Sequence, residues 1–179
     1  MRTRHLPTVF VMAAFAAGCT ADSATSPTPG GPSSVRQSQS AAAGVPFKGS
    51  CVTTSTAAPI GPGKLHILVY GQCDFTHLGK TQFFADQIAD IAGGTLSGSN
   101  VFTAANGDQL YSANSGPLGP PVAGTLEVGG DVTFAGGTGR FTHASGEGLF
   151  AGTVNIALQT GANTWEGTIR YDASDRSSP

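Results

Sequence analysis

The stretch Val45–Phe75, VPFKGSCVTTSTAAPIGPGKLHILVYGQCDF, decides the fold. Its second half, KLHILVYGQCDF, puts Leu65, Ile67, Val69, Cys73 and Phe75 on one face. That period of two belongs to a strand with one buried side. The opening residues, VPFKGSCVT, set Val45, Phe47 and Cys51 on one face in the same way. Between them APIGPGK (Ala58–Lys64) holds two prolines and two glycines, a strong turn signal. A hairpin centred near Pro62 places Cys51 opposite Cys73, and the same register matches the two apolar faces. Two independent constraints therefore predict a disulfide between Cys51 and Cys73. A directly opposed antiparallel pair, with Cα atoms roughly 4.5 Å apart, is close enough to bridge.

Working outward, the same alternation recurs. Thr95–Ala104 and Gln109–Asn114 flank AANGD, whose Asn-Gly is a strong hairpin signal. Val122–Phe134 sets Leu126, Val128, Val132 and Phe134 against Glu127, Asp131 and Thr133. Gly148–Leu158 alternates Phe150, Val154, Ile156 and Leu158, and Asn163–Asp172 alternates Trp165, Ile169 and Tyr171. Lys80–Ile91 is ambiguous. Phe84, Ile88 and Ile91 fit a helical face, and local pattern alone predicts a short helix there. The segment thus reads as all-β with about eight strands. Exposed sheet edges invite aggregation, so closure into an eight-stranded antiparallel barrel is the expected architecture.

The flanks read differently. Residues 1–18 have the form of an export signal, with Arg2, Arg4 and His5 ahead of the apolar run Val9–Ala17. That run is too short to span a bilayer as a mature helix, which needs roughly 20 apolar residues. It ends in AAGC (Ala16–Cys19), which resembles the bacterial lipobox, and Cys19 is the expected lipidation site. An ordinary secretory signal with a chance cysteine is the alternative. Thr20, where an aspartate would favour inner-membrane retention in lipoproteins of this kind, points to the outer membrane, on its periplasmic or surface face. Residues 19–44 are rich in Ser, Thr, Pro, Ala, Gln and Gly, so we expect a flexible linker. Residues 45–173 form the expected barrel domain, and residues 174–179 a disordered tail. With Cys19 assigned to lipid, Cys51 and Cys73 remain as an even pair in an oxidising compartment. Residues 45–173 carry five basic side chains against nine acidic ones, which gives no electrostatic footprint for nucleic acid.

AGGTGRFTHASGEG (Ala135–Gly148) places five glycines near Arg140 and His143. A phosphate cradle needs a helix N-terminus after its glycines, whereas RFTHASGEGLFAGTVNIAL goes on alternating. No Lys-Ser or Lys-Thr pair follows the turn either. The glycines are read instead as supplying positive φ in a turn before Phe141 enters the core. GGTGRFTHASGEGLF (Gly136–Phe150) resembles the GGTG-x-F-x-x-A-x-G signature of plant dirigent proteins, of which plant allene oxide cyclases carry a looser version. THLGK (Thr76–Lys80) and TAANGDQL (Thr103–Leu110) resemble segments of exported bacterial proteins without an assigned role. The resemblance covers most of residues 44–173. It implies an eight-stranded barrel whose lumen holds a hydrophobic ligand or intermediate, and it makes Lys80–Ile91 a strand. The plant proteins are often trimers, which leaves room for a homo-oligomer here. The matching residues are turn and packing positions, and no catalytic group carries over.

The candidate chemistry is sparse. His66, His77 and His143 match no metal-ligand spacing, and His77 suits a turn histidine bonded to backbone. Asp86 and Asp90 share a strand parity, as an inward acid–base pair or, more simply, as solvated side chains. Ser145 lacks a nucleophile elbow. No catalytic residue, metal or cofactor is expected. Phe47, Phe75, Phe134, Phe150, Trp165 and Tyr171 fall on inward faces and are the ligand-binding candidates. They fit equally a filled core, since eight strands leave an interior just wide enough for side chains. Inward Gly49, Gly71, Gly130, Gly152 and Gly167 would remove volume and open a pocket. Three functions stay in view: a binding module for a small apolar molecule, a cyclase or isomerase, and a structural or adhesive envelope protein.

Overall fold

The structure, a computed structural model, describes residues 44–172. The signal segment, Cys19, the linker up to residue 43 and the tail 174–179 lie outside the described residues. Eight strands follow in chain order: β1 Val45–Gly61, β2 Lys64–Phe75, β3 Gly79–Asp90, β4 Thr95–Ala104, β5 Gln109–Pro117, β6 Thr125–Gly137, β7 Ser145–Asn155 and β8 Thr160–Arg170. Each pairs antiparallel with its chain neighbour, and β1 pairs with β8 from Val45↔Ile169 to Thr54↔Thr160, so the sheet is a closed barrel. The described residues form one compact unit by themselves.

The first hairpin has the expected register. Cys51 stands directly opposite Cys73 with Cα atoms 4.1 Å apart, and the two form a disulfide. Both sulfurs are buried in the core. Replacing both cysteines with alanine is expected to lower the unfolding free energy by about 3 kcal/mol, through the entropy the crosslink removes from the unfolded chain. Urea denaturation of the oxidised protein and the double variant measures this. A difference below about 1 kcal/mol would contradict the chain-entropy account.

β3 overturns the helix expected from local pattern. Thr81, Phe83, Ala85, Gln87 and Ala89 point inward and are buried. Phe84 packs outside against Tyr70, with ring centroids 5.3 Å apart, and Ile88 is exposed. The strand is paired along both edges, to β2 from Lys64↔Asp90 to Phe75↔Gly79 and to β4 from Thr81↔Ala104 to Asp90↔Thr95. A short helix would leave those two ladders without a partner, and an unpaired buried ladder is costly. β7 is also displaced from expectation. It starts at Ser145 and ends at Asn155, so Ile156 and Leu158 belong to a turn, not to an inward strand face. In the glycine stretch, Gly136 and Gly139 have φ of 76° and 54°, and a single 3-10 turn (Gly139–Phe141) buries Phe141. Left-handed backbone of that kind favours glycine.

Up-and-down order puts the β1–β2, β3–β4, β5–β6 and β7–β8 loops at one end. The other three loops and both ends of the domain lie at the opposite end. That opposite end is plugged by rings. Phe47 is fully buried, stacked on Phe75 at 4.8 Å and tilted against Phe134 at 4.7 Å. Phe75 and Trp165 each meet Phe102 edge-on at 5.2 Å. Gly49 sits where any Cβ would strike the Phe75 ring, so that ring requires glycine there. Polar contacts brace the same end from outside. Arg140 Nη2 donates to the His77 carbonyl (2.8 Å), and Lys48 N–H donates to Thr76 Oγ1 (2.9 Å).

Candidate functional site

The half of the barrel away from the plug is hollow. A cavity of about 830 Å³ runs from Trp165, Phe150 and Phe83 up to the loops of that end. β1 contributes only Thr53, Ser55 and Ala57 to its wall, and β2 contributes Leu65, Ile67 and Val69. Leu96, Val128 and Val154 line it from β4, β6 and β7. The β5–β6 connection leans over the mouth through Leu118, Pro120 and Pro121, held by Leu118 N–H donating to the Gly94 carbonyl (2.8 Å). Short side chains on β1 in the wide half, and rings crowded into the other half, give the barrel one open and one closed end.

The inward glycines do not create this volume. A Cβ on Gly130 would meet the backbone of Ser115, one on Gly167 that of Glu147, and one on Gly152 that of Ala162. These positions let neighbouring strands approach closely, so their space is already taken by backbone. The six ligand-binding candidates divide accordingly. Phe150 and Trp165 border the cavity, stacked on each other at 5.1 Å. Phe47, Phe75 and Phe134 form the plug beneath it. Tyr171 lies beyond the end of β8 and packs on Phe141 (5.1 Å) and His77 (5.8 Å).

The wall is mostly hydrocarbon, with a few neutral polar groups. Trp165 Nε1 donates to Asn163 Oδ1 (2.7 Å), which fixes the indole against Phe150. Gln87, buried on β3, presents its amide to the lumen and reaches Asn114 Oδ1 at 3.4 Å. Behind it Asn100 Nδ2 donates to Ser112 Oγ (2.9 Å), while Asn100 Oδ1 and Asn114 Nδ2 have no partner. Sequence reading missed this buried amide patch. Inward parity on β3 through β5 was its only signal, and polar residues at those positions look like outward ones. Among the described residues no Asp, Glu, His, Lys, Arg, Cys or Tyr lines the cavity.

The other candidates are scattered. Asp86 and Asp90 face outward, Asp86 against His66 Nε2 (2.7 Å) and Asp90 near Lys64 (3.8 Å). His77 Nε2 approaches the Pro46 carbonyl (3.1 Å), and His143 pairs with Asp172 (2.8 Å). Ser145 opens β7 on the exposed face. Among the described residues, no group of three His, Cys, Asp or Glu side chains gathers as metal ligands. Cys19 lies outside the described residues. No protein-family model, curated protein or solved structure matches the chain.

Proposed function

We propose that this protein is a lipid-anchored envelope barrel that binds a small, mainly hydrophobic molecule in its lumen. The observation that carries this is the one-ended cavity of about 830 Å³ with an aliphatic and aromatic wall. Small-molecule sites are typically apolar concavities of roughly 300–1,000 Å³ with a few placed polar groups. Here the amides of Gln87 and Asn163 take the polar part, which suits a neutral oxygen function on an otherwise apolar ligand. A cyclase or isomerase would need an acid or base at the reacting atoms. The wall offers none, which favours binding over catalysis. The anchor is Cys19, supported by the apolar run Val9–Ala17 that ends at it, and Thr20 supports an outer-membrane address. Its partners are then the membrane, through that lipid, and the lumen ligand. A homo-oligomer rests on the resemblance to the plant trimers alone.

The test uses the chain's single tryptophan, Trp165, which stands in the cavity wall. N-phenylnaphthylamine, a neutral apolar fluorophore, is expected to bind at one site per barrel and to quench Trp165 by energy transfer. Native mass spectrometry of protein from its own host, followed by denaturation, is expected to release an apolar compound in near-stoichiometric amount. Absence of both signals would remove the binding reading.

A further inference from the structure

The mouth of the lumen is ringed by exposed aliphatic side chains, contributed by the end of β1 and the other three loops of the open end. Ile60 of the first hairpin is 54% exposed, Ile91 52%, Val122 70%, and Ile156 and Leu158 of the last turn 49% and 70%. Ile91 and Ile156 also line the cavity, so crown and lumen wall are one continuous apolar surface. Scattered surface aliphatics are ordinary, whereas an apolar ring around one opening marks an interaction site.

Charge is distributed to match. None of these four loops carries a charged side chain; Lys64 and Asp90, at the adjoining ends of β2 and β3, pair at 3.8 Å. The opposite end carries Asp108, Arg140, His77 and His143 in its loops. The outer wall between the ends carries Lys48, Asp74, Lys80 and Glu166 in ion pairs, and Asp86 hydrogen-bonded to His66. That wall is the reverse of a membrane-spanning barrel, whose apolar residues point outward. Apolar side chains such as Val52 and Leu149 are exposed on that wall too, but they stand among these charges, whereas the crown is continuous with the lumen. An uncharged aliphatic ring fits a partner that asks for neither charge nor directed hydrogen bonds, and the interfacial layer of a bilayer is such a partner.

We infer that the open end docks on a phospholipid surface and that the cargo passes between bilayer and lumen without crossing water. The passage rests on the lumen being a binding chamber; the docking does not. A Cys19 anchor is compatible with this orientation although β1 enters at the closed end. Residues 20–44 span at most about 3.5 Å each, roughly 85 Å in all. A strand of β2's length rises about 3.3 Å per residue, roughly 40 Å, so the mouth can turn toward the same membrane.

The experiment floats residues 40–179, which contain the compact unit of the described residues and lack both the apolar run and Cys19, with phosphatidylcholine vesicles. The unit is expected to co-float, with little change between low and high salt because the crown is uncharged. The triple variant Ile60→Gln, Val122→Gln, Leu158→Gln alters only exposed side chains that do not line the cavity and is expected to lower partitioning about tenfold. Its lumen should still bind N-phenylnaphthylamine in vesicle-free buffer, which separates loss of docking from loss of the chamber. Failure of the unit to float, or equal flotation of the triple variant, would overturn the inference. A dimer in sedimentation velocity that the triple variant dissociates would assign the crown to a second copy instead and overturn it too.

Discussion

Phe47→Ala is expected to lower the unfolding free energy by about 3–5 kcal/mol, the largest stability effect of any single substitution considered in this barrel. Phe47 is fully buried at the centre of the plug, stacked on Phe75, tilted against Phe134 and lying 6.1 Å from Phe102 edge-on. Truncation removes the transfer free energy of a phenyl ring and leaves three rings facing a void. Those rings are held on separate strands by closed ladders, so collapse around the void is limited. Urea denaturation followed through Trp165 fluorescence reads the loss. A cost below about 1 kcal/mol would mean that the closed end is loosely packed.

The first hairpin was legible in the sequence because it rested on two signals that agree, whereas the same alternation left Phe47, Phe75 and Phe134 undivided between lumen wall and filled core. Cys51 and Cys73 fell into register with the same alternation that put Phe47 and Phe75 inward, and only one hairpin satisfies both. Asn106-Gly107 and the Gly136–Gly139 stretch were legible because left-handed backbone at Gly107, Gly136 and Gly139 favours glycine. β3 misled because Phe83 and Phe84 are adjacent and its other inward residues are Thr81, Ala85, Gln87 and Ala89. Small and polar inward side chains carry no hydrophobic signal, so the outward Phe84 and Ile88 dominated the pattern. The cavity was hard to read for a related reason. Inward glycines suggested missing volume, but their space is occupied by neighbouring backbone and rings. The cue lay in Thr53, Ser55 and Ala57, a run of short inward side chains opposite no compensating rings. The crown is invisible along the chain, since Ile60, Ile91, Val122 and Leu158 look like unrelated turn residues. They meet only when closure gathers alternate loops at one end.

If the hollow half is where the ligand sits, its volume should matter more than its composition. Val69→Trp with Val128→Trp places two indoles into the lumen from β2 and β6, strands half a turn apart in the ring of eight. Both valines are half-buried and line empty space, so added bulk meets few atoms and the stability change is expected to stay below about 1.5 kcal/mol. Affinity for N-phenylnaphthylamine is expected to fall about a hundredfold. Excluding one ring system from apolar contact forfeits roughly 2–3 kcal/mol, and each 1.4 kcal/mol is tenfold. Because the new indoles would alter energy transfer, binding is read from the probe's own emission under direct excitation. Val52→Trp, on the outer face of β1, adds one bulky indole to the same sheet and should leave affinity unchanged. If the lumen pair binds as tightly as the parent while Val52→Trp weakens binding, the site lies on the outer wall. The hollow would then be a by-product of short side chains on β1, and the same titration distinguishes the two arrangements.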